Sequence, residues 1–283
     1  MTVAPARALS NALEAFAGQV YFAPECHRGY AALGFGSSPG TSGGVELPDG
    51  PAYFCSRGSA LGQASGQVIA AAFGVFNPAV VVPAVDYGWT LTDAPAIRAA
   101  RTDGSAAQLR RVLGDAPEGL DRVTALLGRA ADALPLAGKP LFAGLVAAGL
   151  VGDPLTDAWL LADQLREFRG DAHVNAWVAA GFDAVEIGLI TELYRGLPPR
   201  SHVRSRAFSE DELSAGEARL AERGLARDGV LSDAGRAARE SVETATDAAC
   251  EPIVARLGDE LPELVELVGG WSKRLREAGA FPG

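Results

Sequence analysis

Histidine is scarce in this chain. His27, His173 and His202 are the three present among 283 residues, so a metal site built from histidine alone would need all of them, and no H-E-x-x-H or Cys/His spacing offers another route. Cysteine is equally rare: Cys26, Cys55 and Cys250 are odd in number, far apart and without C-x-x-C spacing, which argues against a disulfide framework or zinc finger and for reduced thiols. A phosphate loop, a dinucleotide fingerprint and a nucleophile elbow are missing too. No metal is therefore expected, and the cofactor, if any, is unknown from the sequence. Long apolar runs are also lacking. Arg7, Asn11 and Glu14 interrupt the N-terminal segment, so it reads as no signal peptide and the protein as cytoplasmic, without a membrane partner.

What is abundant is small and apolar. Hydrophobic residues make up 48% of the chain and aromatics only 7%, a balance that suits small side chains packed between helices and predicts an all-α class. The length allows two domains, here a helical ligand-pocket domain over 1–150 and a winged-helix-like domain over 151–283. The net charge is −10, so the averaged field repels polyanions; DNA remains a possible partner but is disfavoured by charge.

Helical patterns cover Ala6 to Gly18 and Pro24 to Gly34, followed by a Gly/Ser/Pro-rich loop from Phe35 to Pro51. Tyr53 to Phe76 then reads as a helix carrying Gly58, Gly62, Gly66 and Gly74 on one face. Such a stripe lets a facing helix or a flat ligand approach the backbone. Arg57, Gln63 and Gln67 interrupt it, which excludes a membrane span. With Tyr53, Arg57, Gly58, Gly62, Asn77 and Trp89 as its polar and aromatic surroundings, the stripe is the expected ligand pocket; close helix packing without a ligand is the alternative.

Further along, Leu155 to Phe168 is helical and Gly170 reads as a break. His173 lies beside it with Arg166, Glu167, Arg169 and Asp171. Asp171 or Glu167 could orient the imidazole, making His173 and Asp171 candidate catalytic residues and Arg169 a ligand contact; a buried structural histidine is the alternative. Arg195, Arg200, His202, Arg204 and Arg206 fall in a stretch free of acids. That is either a solvated loop pairing with Glu210 and Asp211, an anion or carboxylate site, or a phosphate contact. Ser209 and Glu212 have capping-box spacing, Asp228-Gly229 marks a hairpin turn, and Ser232 caps a long helix bent at Pro252. Ala238, Val242, Ala245, Ala249 and Ile253 on that helix are expected to form a homodimer seam.

The order of helices, hairpin and long helix is that of a winged helix, and Leu220 to Glu243 looks like the third helix, wing and following helix of MarR-like regulators. Together with Tyr53-Phe54, Arg57-Gly58, Phe76-Asn77-Pro78, Trp89, Arg169-Gly170-Asp171, His173-Val174 and the Leu231–Arg236 corner, it makes the chain resemble, over nearly its full length, an actinobacterial MarR-like helix-turn-helix family of mostly unassigned role. The resemblance implies regulation. The helix in the recognition position opposes it: Glu210 to Arg223 holds five acids against two arginines, few of the side chains that read base edges. The expectation is a small-molecule-binding protein with a degenerate helix-turn-helix, a ligand-responsive regulator or accessory protein of specialised metabolism. The alternative is an enzyme using the same pocket, with His173 as acid/base or cofactor ligand.

Overall fold

A computed structural model describes residues 3–282. The elements in chain order are α1 (Pro5–Gly18), α2 (Pro24–Ala32), β1 (Thr41–Ser42), β2 (Val45–Glu46), α3 (Gly50–Gly58), α4 (Gly66–Phe73), α5 (Pro78–Leu91), α6 (Ala94–Leu113), α7 (Leu120–Ala131), α8 (Pro140–Ala148), α9 (Pro154–Ala179), α10 (Ala184–Tyr194), α11 (Glu210–Glu222), β3 (Ala226–Arg227), β4 (Val230–Leu231), α12 (Asp233–Ala249), α13 (Glu251–Leu257) and α14 (Leu261–Glu277). The fold is mostly helical with two small antiparallel hairpins. The second lies where the wing was expected: Asp228 and Gly229 both have positive φ, 52° and 73°, as a tight two-residue turn requires. The first, inside the Gly/Ser/Pro-rich loop, leaves no strong period in the sequence.

Side-chain oxygens start many of the helices. Asp49, Asn77, Asp93, Asp153, Asp183, Ser209 and Ser232 each accept a backbone N–H of the first turn, and Asp183/Glu186 and Ser209/Glu212 form reciprocal capping boxes.

The buried apolar side chains fall into two clusters. The larger draws on residues 6–172 and again on 250–280; the smaller lies within 177–242. The smaller cluster with its hairpin, called the winged unit below, is thus inserted in the sequence of the larger, called the body, and the apolar packing runs across residue 150. The last helix returns to the first: Phe16 and Trp271 rings meet at 5.2 Å, and the Ser272 hydroxyl donates to the Ala12 carbonyl while accepting the Phe16 N–H. Val242 and Ile253 are used up in the two internal clusters, while Ala245 and Ala249 are exposed, so the expected dimer seam is split between the chain's own interior and its surface. Among the described residues no single helix is long and apolar enough to cross a membrane.

Candidate functional site

The glycine stripe does not form. Gly58 closes α3, a short 3-10 turn follows, and Gly62 turns the chain with φ 70° and ψ −153°, a conformation that essentially only glycine adopts. Gly66 then begins α4 and Gly74 ends it. A break of this kind resets the helical phase, so residues four apart no longer share a face. A side chain at Gly62 would meet open space. Gly62→Leu is therefore expected to cost about 1–3 kcal/mol in backbone strain and to leave any cleft ligand's affinity unchanged, checked by urea unfolding and titration. Trp89 is also elsewhere, its indole N–H donating to the Ala64 carbonyl.

A cavity of about 330 Å³ does lie at the junction between the body and the winged unit. Its long wall is one face of α9. This helix runs unbroken through Gly170, contrary to the break expected there, and at about 100° per residue it sets Arg166, Arg169, Gly170 and His173 in one stripe. The same continuity overturns the expected His173–Asp171 pair, because two positions apart on a helix is about 200° of rotation. Asp171 turns into the body, accepts the Phe142 N–H at 3.1 Å, and is pushed up to about 7 by burial and then by Glu167.

Of the residues singled out in the sequence, Tyr53, Arg57, Arg169 and His173 line the cleft, while Gly58, Gly62, Trp89, Asn77 and Asp171 do not. Asn77 is a fastener instead. It caps α5 through its side-chain oxygen, and its amide nitrogen donates to the Ala207 carbonyl and to Glu212 at the foot of α11.

Two carboxylates organise the charged wall. Glu167 takes a two-pronged grip from Arg57, at 2.8 and 2.7 Å, and a bond from Arg166 at 3.0 Å. Despite its burial, these guanidiniums hold it down at about 2. Glu243 on α12 binds Arg169 at 2.7 Å and Arg239 at 2.6 Å, tying α9 to the winged unit. Arg239 and Glu243 were invisible in sequence, where they look like ordinary i,i+4 surface partners; the one hint is that Arg239 adjoins the apolar positions Ala238 and Val242.

His173 is neutral. Burial, then Arg239, lowers it from its ordinary 6.5 to about 4. Thr246 gives its hydroxyl proton to the Val242 carbonyl, so the 3.1 Å contact to Thr246 must be donated by His173 Nδ1, leaving Nε2 as the acceptor nitrogen. A depressed folded-state pKa means that the stability it contributes is present above pH 6.5 and is lost as pH falls toward 4. The His173→Gln variant is expected to lose less of its unfolding midpoint than wild type across that window.

The acid-free arginine stretch divides. Arg200 pairs with Glu210 and Glu217 and Arg204 with Glu210, the solvated-loop reading with Glu217 in place of Asp211. Arg206 instead stacks over the Phe76 ring, 4.6 Å from its centroid, and lines the cleft with Arg195. It sits on a short 3-10 helix, Val203–Arg206, three residues before α11.

On α11, Arg219 is paired with Asp183 at 2.6 Å and Arg223 with Glu186 at 3.1 Å, so neither arginine is free to offset Asp211 and Glu222, which have no basic partner among the described residues. No curated protein and no solved structure matches the chain. A family model described as a helix-turn-helix family matches residues 6–282, and on that near-complete match the chain belongs to this helix-turn-helix family.

Proposed function

We propose that this protein is a ligand-responsive helix-turn-helix regulator or accessory protein, with the inter-unit cleft as its small-molecule site. The observation that carries the reading is the cavity's position. Body residues Tyr53, Arg57 and Arg169 and winged-unit residues Ile187, Arg206 and Arg239 line one space, whose size is that of a compact organic ligand. A molecule bound there touches both units. It would also be felt at α11, because the Arg206 carbonyl accepts the Asn77 N–H and the Ala207 carbonyl accepts the Asn77 amide. Gly170 leaves the α9 wall low, since an added Cβ would meet only Glu167, at an ordinary 3.4 Å.

Native mass spectrometry of protein purified from its own host is expected to show a retained small molecule that Gly170→Leu, which fills the cleft, does not retain. Wild-type protein that carries nothing and gains no thermal stability from a host extract would overturn the reading.

DNA contact, if the protein makes it, does not run through α11 alone. Arg219→Ala with Arg223→Ala is expected to leave DNA affinity at physiological salt unchanged, measured by mobility shift against its own upstream region, because both arginines are spent on Asp183 and Glu186. Tight, sequence-selective binding abolished by the pair would make the protein a conventional DNA reader. The enzyme alternative fits less well: a base at about 4 is poorly matched to neutral pH, and Asp171 is not beside it.

A further inference from the structure

The cleft contradicts the charge of the molecule around it. The chain carries a net −10, yet six arginines and only three glutamates line this one cavity. Two of the glutamates are each shared by two guanidiniums, as described above. That leaves Arg195 and Arg206 with no carboxylate partner among the described residues. Arg206 bears the cost. Its burial, with Arg57 and Arg166 adding to it against Tyr53, lowers it below the ordinary arginine range, the response of a cation held in a half-buried place without a counter-charge. A second, independent sign lies on the opposite wall: Arg239 is 1% exposed, and its Nη1 is buried without an acceptor. Protein interiors do not ordinarily leave guanidinium donors unmet. The Nε atoms of Arg166 and Arg169 are in the same condition. Beside these donors the half-buried Tyr53 packs on Phe73 and Phe76 at 6.4 and 5.6 Å, while the two phenylalanines are themselves buried and covered by the guanidiniums of Arg57 and Arg206.

We propose that the cleft takes an organic anion, a carboxylate or phosphate borne on a flat aromatic body, with Arg206 and Arg195 holding the charged group and Tyr53 beside the ring. This rests on the cleft being the small-molecule site and goes further by naming the ligand's chemistry. The anion supplies the missing counter-charge to Arg206, and bound at the body–wing junction it draws Arg206 of the winged unit toward Arg169 of the body. His173, neutral and with Nε2 free to accept, adds no charge of its own and suits a hydroxyl or N–H beside the anionic group.

Three probes of one shape test it by calorimetry on the full chain: 2-naphthoate, 2-naphthyl phosphate and the neutral 2-naphthamide. At least one anion is expected to bind tenfold or more tighter than the amide, and Arg206→Met, which keeps the stem, is expected to abolish that preference. Arg195→Met should reduce it several-fold, and it provides a second variant if Arg206→Met does not fold. Which anion wins identifies the head group. An amide that binds as well as the anions overturns the inference and leaves the cleft standing as a neutral-ligand site. Failure of all three probes also overturns it, and the mass-spectrometric experiment then decides separately whether the cleft holds anything.

Discussion

Glu167→Ala is expected to destabilise the protein by about 3–5 kcal/mol, the range for removing one partner of a buried ion pair. Glu167 is 3% exposed and its partner Arg57 13%, so the mutation leaves a guanidinium in the interior with its two-pronged acceptor gone. Arg166 loses a bond at the same time. Arg101, close by, keeps Asp163 at 3.0 Å. Urea unfolding of wild type and variant at neutral pH gives the difference directly. Adding Arg57→Met to the variant should recover a large part of it, because an apolar stem over Phe73, where the guanidinium now sits 4.4 Å from the ring centroid, needs no counter-charge. The pH dependence follows the same carboxylate. Glu167 is lowered from 4.5 to about 2, so its stabilising contribution is complete above pH 4.5 and disappears as pH falls toward 2. Glu243, also lowered to about 2 against its burial by Arg239 and Arg169, adds to the same acid transition. A Glu167→Ala protein should therefore show a shallower acid slope as well as a lower plateau.

Gly66→Val is expected to cost about 3 kcal/mol, the upper part of the range for overpacking. A Cβ at Gly66 would stand 2.6 Å from the Cα and the carbonyl oxygen of Val82. These are backbone atoms of α5 and cannot swing aside, so α4 and α5 must separate. The contrast with Gly62 is informative. There the cost is conformational and local, with nothing within 4 Å; at Gly66 it is steric and spreads into the body. Thermal unfolding of both variants, with a urea slope to verify unchanged cooperativity, separates the two mechanisms.

Much of the fold could be read from residue order. Short polar residues ahead of apolar runs placed the starts of α11 and α12, Asp228-Gly229 placed the wing, and the acidic run from Glu210 already said that α11 is a poor groove reader. The failures have physical causes. Gly170 looked like a punctuation mark, but one glycine costs a helix only about 1 kcal/mol, and α9 is buried on enough of its surface to absorb that. Gly58, Gly62 and Gly66 looked like a helical stripe because spacing reports phase only when the helix is continuous, and the positive φ at Gly62 is not written in the spacing. The cleft was half legible: Tyr53, Arg57, Arg169 and His173 were found, and the arginine stretch was recognised as an anion-site candidate, but nothing local says that Arg206 meets Phe76, more than a hundred positions earlier, or that Arg239 lines the same cleft.

The way α14 closes on α1 sets a timetable for synthesis. Helix α1 emerges from the ribosome well before its partner, and although α9 covers part of it, the rest of the surface it needs is encoded in residues 261–277, which at ordinary elongation rates arrive on the order of tens of seconds later. All of the winged unit's side chains are translated inside that interval. The nascent chain must therefore shelter part of the apolar side of α1, which carries Leu9, Leu13 and Phe16, until α14 has emerged, and a message truncated before Leu261 would yield a finished hairpin unit on an unclosed body.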